Sequence, residues 1–263
     1  MTLPLRWLWP VMAGMLVART AVGDEPLEEI VVHASLRATP ALDLPQSVTV
    51  LDRAQITAQG VQHFEDLLGA IPNLNWAAGT SRPRYFQLRG IGEVEQYQGA
   101  PNPSVGFLID DIDFSGVGMP ATLFDTQQIE VLRGPQGTTY GANGLAGLIN
   151  VRTVDPGSAP EFAAELTGAA YDTRAAGFAA GDGLGEGSGG WRVVAQRFVS
   201  DGFRHNAFLG ENATNGYDET TLRAKLRWEF SPGLRADLSL MHVFLNNGYD
   251  AWSIDNTYTT YSN

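Results

Sequence analysis

The 263-residue sequence contains no cysteine. That excludes a disulfide framework and any thiolate metal site. Basic residues are scarce, with 17 Lys and Arg against 29 Asp and Glu, a formal charge of −12. Nucleic-acid binding needs a basic face, so this balance argues against it. Charged residues of both signs make up only 17% of the chain and hydrophobic ones 44%, too apolar a composition for a disordered protein. No segment reaches the roughly eighteen consecutive apolar residues that a spanning helix requires. Any membrane crossing after the N-terminus must therefore be made by strands. His33, His63, His205 and His242 are scattered without metal-ligand spacing. No serine sits in a G-x-S-x-G elbow, and no nucleophile–base constellation is visible, so the sequence does not read as an enzyme.

What is present begins at the N-terminus. MTLPLR carries one positive charge, an apolar run fills residues 7–18, and small residues flank Val22 in Ala21-Val22-Gly23. This is the layout of a secretory signal, with cleavage expected after Gly23. Two halves of different texture follow. Residues 24–156 mix short strands with helices, and residues 157–263 alternate apolar and polar side chains between turns.

In the first half, residues 27–33, LEEIVVH, are a β-prone patch. It fits either a buried strand or an exposed one open to strand addition from another protein. Residues 34–40 read as a flexible linker. Residues 46–51, QSVTVL, read as a strand. Asp52 then caps a helix that runs through Gln59 and stops at Gly60. A second helix covers 64–68, with Phe64, Leu67, Leu68 and Ile71 on one face and Pro72 ending it. Residues 85–89, 105–112, 129–132 and 148–153 are strand-like. Alternation along 105–112 sends Asp111 and Asp113 to one face and Asp110 to the other. These acids suit intrachain bonding to arginines better than a metal.

In the second half, Thr220, Leu222, Ala224, Leu226, Trp228 and Phe230 point one way, while Thr221, Arg223, Lys225, Arg227 and Glu229 point the other. One apolar and one charged face over such a length fit a strand with lipid outside and water inside. Further strands are expected at 161–171, 174–183, 191–200 and 234–245, with short turns at 185–190 and 231–233 and a long loop at 201–216.

Residues 133–151, RGPQGTTYGANGLAGLINV, raise the possibility of a phosphate cradle. The alternative function this suggests is a secreted, periplasmic phosphate- or nucleotide-binding enzyme. However, a P-loop needs a lysine and a following helix, and neither is expected here. Backbone geometry is the better account: Gly134, Gly137, Gly141 and Gly144 permit tight turns and positive φ. Arg133 and Arg89 are expected to carry charge into a polar lumen.

Several segments, taken in order, resemble the TonB-dependent outer-membrane receptors. Residues 27–34, LEEIVVHA, look like the TonB box region, and 45–51, PQSVTVL, like the start of the plug domain. Residues 67–75, LLGAIPNLN, 86–92, FQLRGIG, and 105–112, VGFLIDDI, are similar to later plug blocks. The most specific block is 124–153, FDTQQIEVLRGPQGTTYGANGLAGLINVRT, and LRAKLRW at 222–228 looks like an early barrel strand.

The resemblance implies a signal peptide at 1–23, a TonB box and linker at 24–44, an α+β plug domain at 45–156, and the N-terminal part of a transmembrane β-barrel at 157–263. The family closes a twenty-two-stranded barrel, which needs roughly 220 residues of strand alone. This chain supplies about five or six antiparallel strands at that length, so the barrel is incomplete and the chain is expected not to transport by itself.

The implied function is energy-coupled uptake of a scarce ligand across the outer membrane, with an Fe(III)–siderophore complex first and cobalamin or a glycan as alternatives. The implied partners are outer-membrane lipid and TonB with its inner-membrane proton-driven complex, TonB pairing with Glu29, Ile30, Val31, Val32 and His33. Outward plug loops at 78–84 and 93–103 offer Arg82, Arg84 and Tyr97 to an anionic, aromatic ligand. No resident cofactor or metal is expected.

Overall fold

The structure is a computed structural model, and it describes residues 30–34, 38–77, 84–94, 103–117, 122–185, 187–205, 210, 212 and 215–248. The expected signal sequence, its cleavage point near Gly23 and a sixth strand near Thr257 lie outside the described residues.

The chain opens with two short strands, β1 (Val31–Val32) and β2 (Thr39–Pro40), paired antiparallel. β3 (Ser47–Asp52) leads directly into α1 (Arg53–Gln59). The helix starts where it does because Asp52 accepts the Gln55 N–H at 2.8 Å while the Gln55 side chain accepts the Asp52 N–H, a reciprocal cap. It stops at Gly60, whose φ of 64° is left-handed. The second expected helix is a 3-10 helix, Phe64–Ala70, entered through His63. Its tighter winding still buries Phe64 and Leu67. β4 (Leu74–Ala77) pairs with β5 (Tyr85–Leu88).

The strand expected over 105–112 is two strands, β6 (Val105–Ile109) and β7 (Ile112–Asp113). Asp110 and Asp111 have φ of 48° and 65°, the left-handed pair that a tight hairpin requires, and aspartate tolerates it. Simple alternation therefore fails at this point. β8 (Thr126–Arg133) follows, then α2 (Gly137–Tyr140), a 3-10 turn (Gly141–Gly144), and β9 (Gly147–Thr153). The glycine-rich stretch holds one single-turn helix, α2, ahead of Gly141, and the glycines then lead into the strand β9, as expected, and not into a helix. Gly134 and Gly141 adopt positive φ, whereas Gly137 and Gly144 do not.

β3, β8, β9, β6 and β7 form one sheet in that order, with β6 and β9 parallel and the other neighbours antiparallel. Period two gives it two distinct faces. Leu51, Ile129, Val131, Ile149 and Val151 face the main core, which is closed by α1, the 3-10 helix and the β4–β5 hairpin. At its centre the rings of Phe64, Phe86 and Phe107 meet with centroids 5.3–5.6 Å apart. Each such ring contributes about 1.5–3 kcal/mol by leaving water. The opposite face presents Val48, Val50, Leu108, Leu132 and Leu148, and it is covered by Val32 and Ala34 of the N-terminal segment.

At the start of β9, Gly147 has a φ of 156°, and a Cβ there would lie 2.3 Å from the Leu132 carbonyl oxygen and 2.5 Å from Leu88 Cδ1. Two backbones touch at this point, so only glycine fits. Gly147→Ala is expected to destabilise the sheet by about 1–3 kcal/mol, seen as a lower guanidinium midpoint for the folded protein.

The second half is a meander of five antiparallel strands in sequential order: β10 (Glu161–Ala169), β11 (Thr173–Gly183), β12 (Gly189–Ser200), β13 (Tyr217–Ser231) and β14 (Leu234–Leu245). Its outward face is apolar and exposed, including Phe162, Leu166, Phe178, Leu222, Trp228 and Phe230. Its inward face packs on the N-terminal unit through Arg192, Gln196, Thr221 and Arg223, all buried. Among the described residues no helix is long and apolar enough to cross a membrane.

Candidate functional sites: the N-terminal strand and the interface between the two halves

The first site is the N-terminal strand. Of the residues expected to pair with a partner, Ile30 is exposed, Val31 and His33 are half-buried, and Val32 is fully buried. Glu29 lies outside the described residues. The segment is folded back onto the sheet, so the buried-strand alternative describes this state. The stretch read as a flexible linker is partly ordered: Ala34 is buried, Thr39–Pro40 is β2, and the Ala41 N–H donates to the Ile30 carbonyl at 2.8 Å.

The other edge of the segment meets side chains of β8. Gln128 Nε2 donates to the Val31 carbonyl at 2.8 Å. Glu130 accepts the His33 N–H on Oε1 at 2.7 Å and the Ala34 N–H on Oε2 at 2.8 Å. Glu130 is completely buried, and Gln128 and Asn150 also donate to it. Nearby, burial together with the charges of Asp111 and Glu130 pushes the Tyr140 phenol up to about 12, which keeps it neutral at physiological pH.

The second site is the interface between the N-terminal unit and the meander. Asp125, in the turn just before β8, receives two bonds from Arg192 of β12, Nη2 to Oδ1 at 2.5 Å and Nε to Oδ2 at 2.8 Å. Both side chains are almost wholly buried. Arg223 of β13 reaches the Phe124 carbonyl at 2.5 Å and stands 4.0 Å from Asp125. Lys225 pairs with Asp110 at 2.9 Å and with Asp155 at 3.4 Å, and Arg227 pairs with Asp155 at 3.2 Å. Burial alone would raise the Asp155 carboxyl, but Lys225, Arg227 and Arg152 hold it below its ordinary value. Acids on the unit thus meet bases on the inward face of the meander. The ring of Phe124 also lies against Gly177 of β11, where a Cβ would come within 2.8 Å.

Residues 40–148 match the family model described as TonB-dependent Receptor Plug Domain. This segment resembles a TonB-dependent receptor plug. The sheet that packs on it has the strand order and the apolar outer face of a barrel wall's first strands. Among curated relatives, the pesticin receptor of Yersinia enterocolitica is 28% identical over 84% of this chain and 33% of its own length. The vitamin B12 transporter of Vibrio vulnificus is 26% identical over 70% of this chain and 30% of its own. The crystal structure of the ferric yersiniabactin uptake receptor from Yersinia pestis superposes with a TM-score of 0.61 at 28% identity, covering 70% of this chain and 29% of that one. The chain spans about a third of the length of the curated relatives it matches. These relatives are receptors and transporters.

Within the plug, the acids at 110–113 do serve intrachain bonds. Asp110 holds Thr153 as well as Lys225, Asp111 faces Arg152, and Asp113 accepts from Ser115 and Asn143. Among the described residues no group of three His, Asp or Glu side chains could hold a metal. Arg133 does not carry free charge into a lumen: it is buried inside the plug, bonded to Thr49 Oγ1 and to the Pro72 carbonyl, each at 2.7 Å. Burial, with Arg89 nearby, holds its pKa below the ordinary guanidinium value.

Of the expected ligand residues, Arg84 is exposed just before β5, while Arg82 and Tyr97 lie outside the described residues. Glu93, in the second of the loops expected to face outward, turns back to accept the Ser104 N–H and hydroxyl. Sequence reasoning missed Asp125, Arg192, Gln128 and Glu130. For Arg192 and Arg223 the signal was there, since basic residues on the inward side of a wall strand need acids opposite. For Glu130 only its presence inside an apolar strand could have drawn notice.

Proposed function

We propose that this chain forms the plug and first wall strands of a TonB-dependent outer-membrane receptor for energy-coupled uptake of a scarce ligand. The observation that carries this reading is a plug bonded by buried ion pairs to the inner face of a strand meander whose outer face is apolar. A lipid-facing band outside and a charged, filled interior inside are what such a wall requires. In this reading the signal at 1–23 directs export, with cleavage near Gly23, and the apolar band sits in outer-membrane lipid. TonB, driven by its inner-membrane proton-powered complex, pairs with residues 29–33 by strand addition and pulls on the plug.

The ligand we favour is a ferric siderophore, because a ferric yersiniabactin uptake receptor is among the similar structures. Cobalamin is the second reading, favoured by the vitamin B12 transporter relative. Arg82, Arg84 and Tyr97 are assigned to ligand contact on the outward loops.

The test is uptake by cells that carry a full-length receptor beginning with this chain and no other siderophore or cobalamin receptor. Radiolabelled ferric siderophore is expected to accumulate, and a protonophore is expected to stop it. Protein found in the soluble periplasmic fraction, or uptake indifferent to the protonophore, would overturn the reading. Accumulation of cobalamin in place of iron would select the second ligand.

A further inference from the structure

The N-terminal strand is held by more than apolar packing. One edge is taken by β2, and the backbone groups on the other edge are met by side chains, the Val31 carbonyl by Gln128 and the His33 N–H by Glu130. An incoming partner strand would need those same groups, because strand addition is made of backbone hydrogen bonds. Gln128 and Glu130 therefore stand where a neighbouring strand would stand, offering an amide donor and a carboxylate acceptor in place of a peptide.

The position of Glu130 is telling. It lies in one row across the sheet with Val50, Asn150 and Leu108, and beside that row the face carries the aliphatic Val48, Leu132 and Leu148. A carboxylate there is tolerable only while donors surround it. It has four: the His33 and Ala34 N–H groups, Gln128 and Asn150. Two of the four belong to the N-terminal segment. When the segment leaves, Glu130 loses half of its donors and its aliphatic face is uncovered. Charge-assisted bonds and apolar burial thus break together, which makes release abrupt.

From this geometry we infer that Glu130, assisted by Gln128, is a clasp that keeps the partner-binding strand stowed and must be displaced before a partner can pair with it. The inference rests on the partner assignment above. It concerns a contact inside the plug, however, and so can be tested without any partner.

Residues 1–263 contain no cysteine, so a thiol introduced among them is the only one in this part of the receptor, and labelling is read on the proteolytic fragment that holds it. Ala34→Cys puts it under the clasp, and Leu67→Cys puts it in the main core, both at fully buried positions. The measurement is the rate of maleimide labelling in outer membranes carrying the full-length receptor, without ligand or TonB. Glu130→Gln sets an amide N–H against a backbone N–H, so labelling at position 34 is expected to rise about tenfold or more. Gln128→Ala should give a smaller rise, and the exposed Gln127→Ala none. Labelling at position 67 should stay slow throughout.

Unchanged labelling at position 34 in both clasp variants would overturn the inference. A rise at positions 34 and 67 together would also overturn it, since Glu130 would then be a general stabiliser of the plug. Released labelling combined with uptake that ignores a proline in the strand would leave the clasp standing and remove the partner assignment.

Discussion

Val31→Pro, in a full-length receptor carrying this chain, is expected to reduce energy-dependent uptake to the level of protonophore-treated cells. Proline removes the backbone N–H at this position and fixes φ, so a partner strand loses a donor and finds a bent edge. Proline at Val32 should act in the same way and also disturb a fully buried side chain. Val31→Ala is the informative control. It keeps every backbone group, and strand addition tolerates varied side chains, so uptake should stay near the parental level. Ligand binding to whole cells should be unaffected by either change, because Val31 is not among the residues assigned to ligand contact. Parental uptake by the proline variants would remove the pairing of TonB with residues 29–33.

Asp125→Asn is expected to have the largest effect on stability. The carboxylate serves Arg192 through two bonds and lies near Arg223, with all three side chains inside the interface. Asparagine keeps the shape and accepts the left-handed backbone, where φ is 60°. The loss is therefore almost purely one of charge, and it leaves Arg192 with only the half-exposed Glu161 carboxylate and Arg223 with only the Phe124 carbonyl. Breaking one side of a buried pair costs about 3–5 kcal/mol.

The exposed pair of Asp172 and Arg174 is the comparison, since its side chains are 57% and 75% exposed. Asp172→Asn should change stability by no more than about 1 kcal/mol. Guanidinium titration of the refolded receptor, read by protease protection of the plug, separates the two. Equal midpoints for the two variants would mean that the buried pair is not what docks the plug to the wall.

Local features were legible in the sequence. α1 ends where Asp52 and Gly60 place it, because a cap and a left-handed stop act within a few residues. β14 occupies 234–245, as alternation predicts, and the inward and outward sides of β13 follow the same rule. The failures are where a non-local or special backbone state intervened. Asp110 and Asp111 read as strand residues, yet their left-handed turn makes two strands of one. Residues 34–40 read as linker because their partners lie elsewhere in the chain: Glu130 is 97 positions beyond His33.

By itself the sequence determined a cysteine-free chain, a mixed α+β unit followed by strands with one apolar face, and the resemblance that joins them. Those features depend on composition, period and short-range caps, which one strand or helix displays alone. Only the tertiary structure decided that the N-terminal strand is stowed, that Glu130 and Gln128 hold it, and that Asp125 serves Arg192 across 67 residues. A buried charge is tolerable only beside its partner, and which charges become partners is set by the packing of sheet on sheet, which no local pattern records.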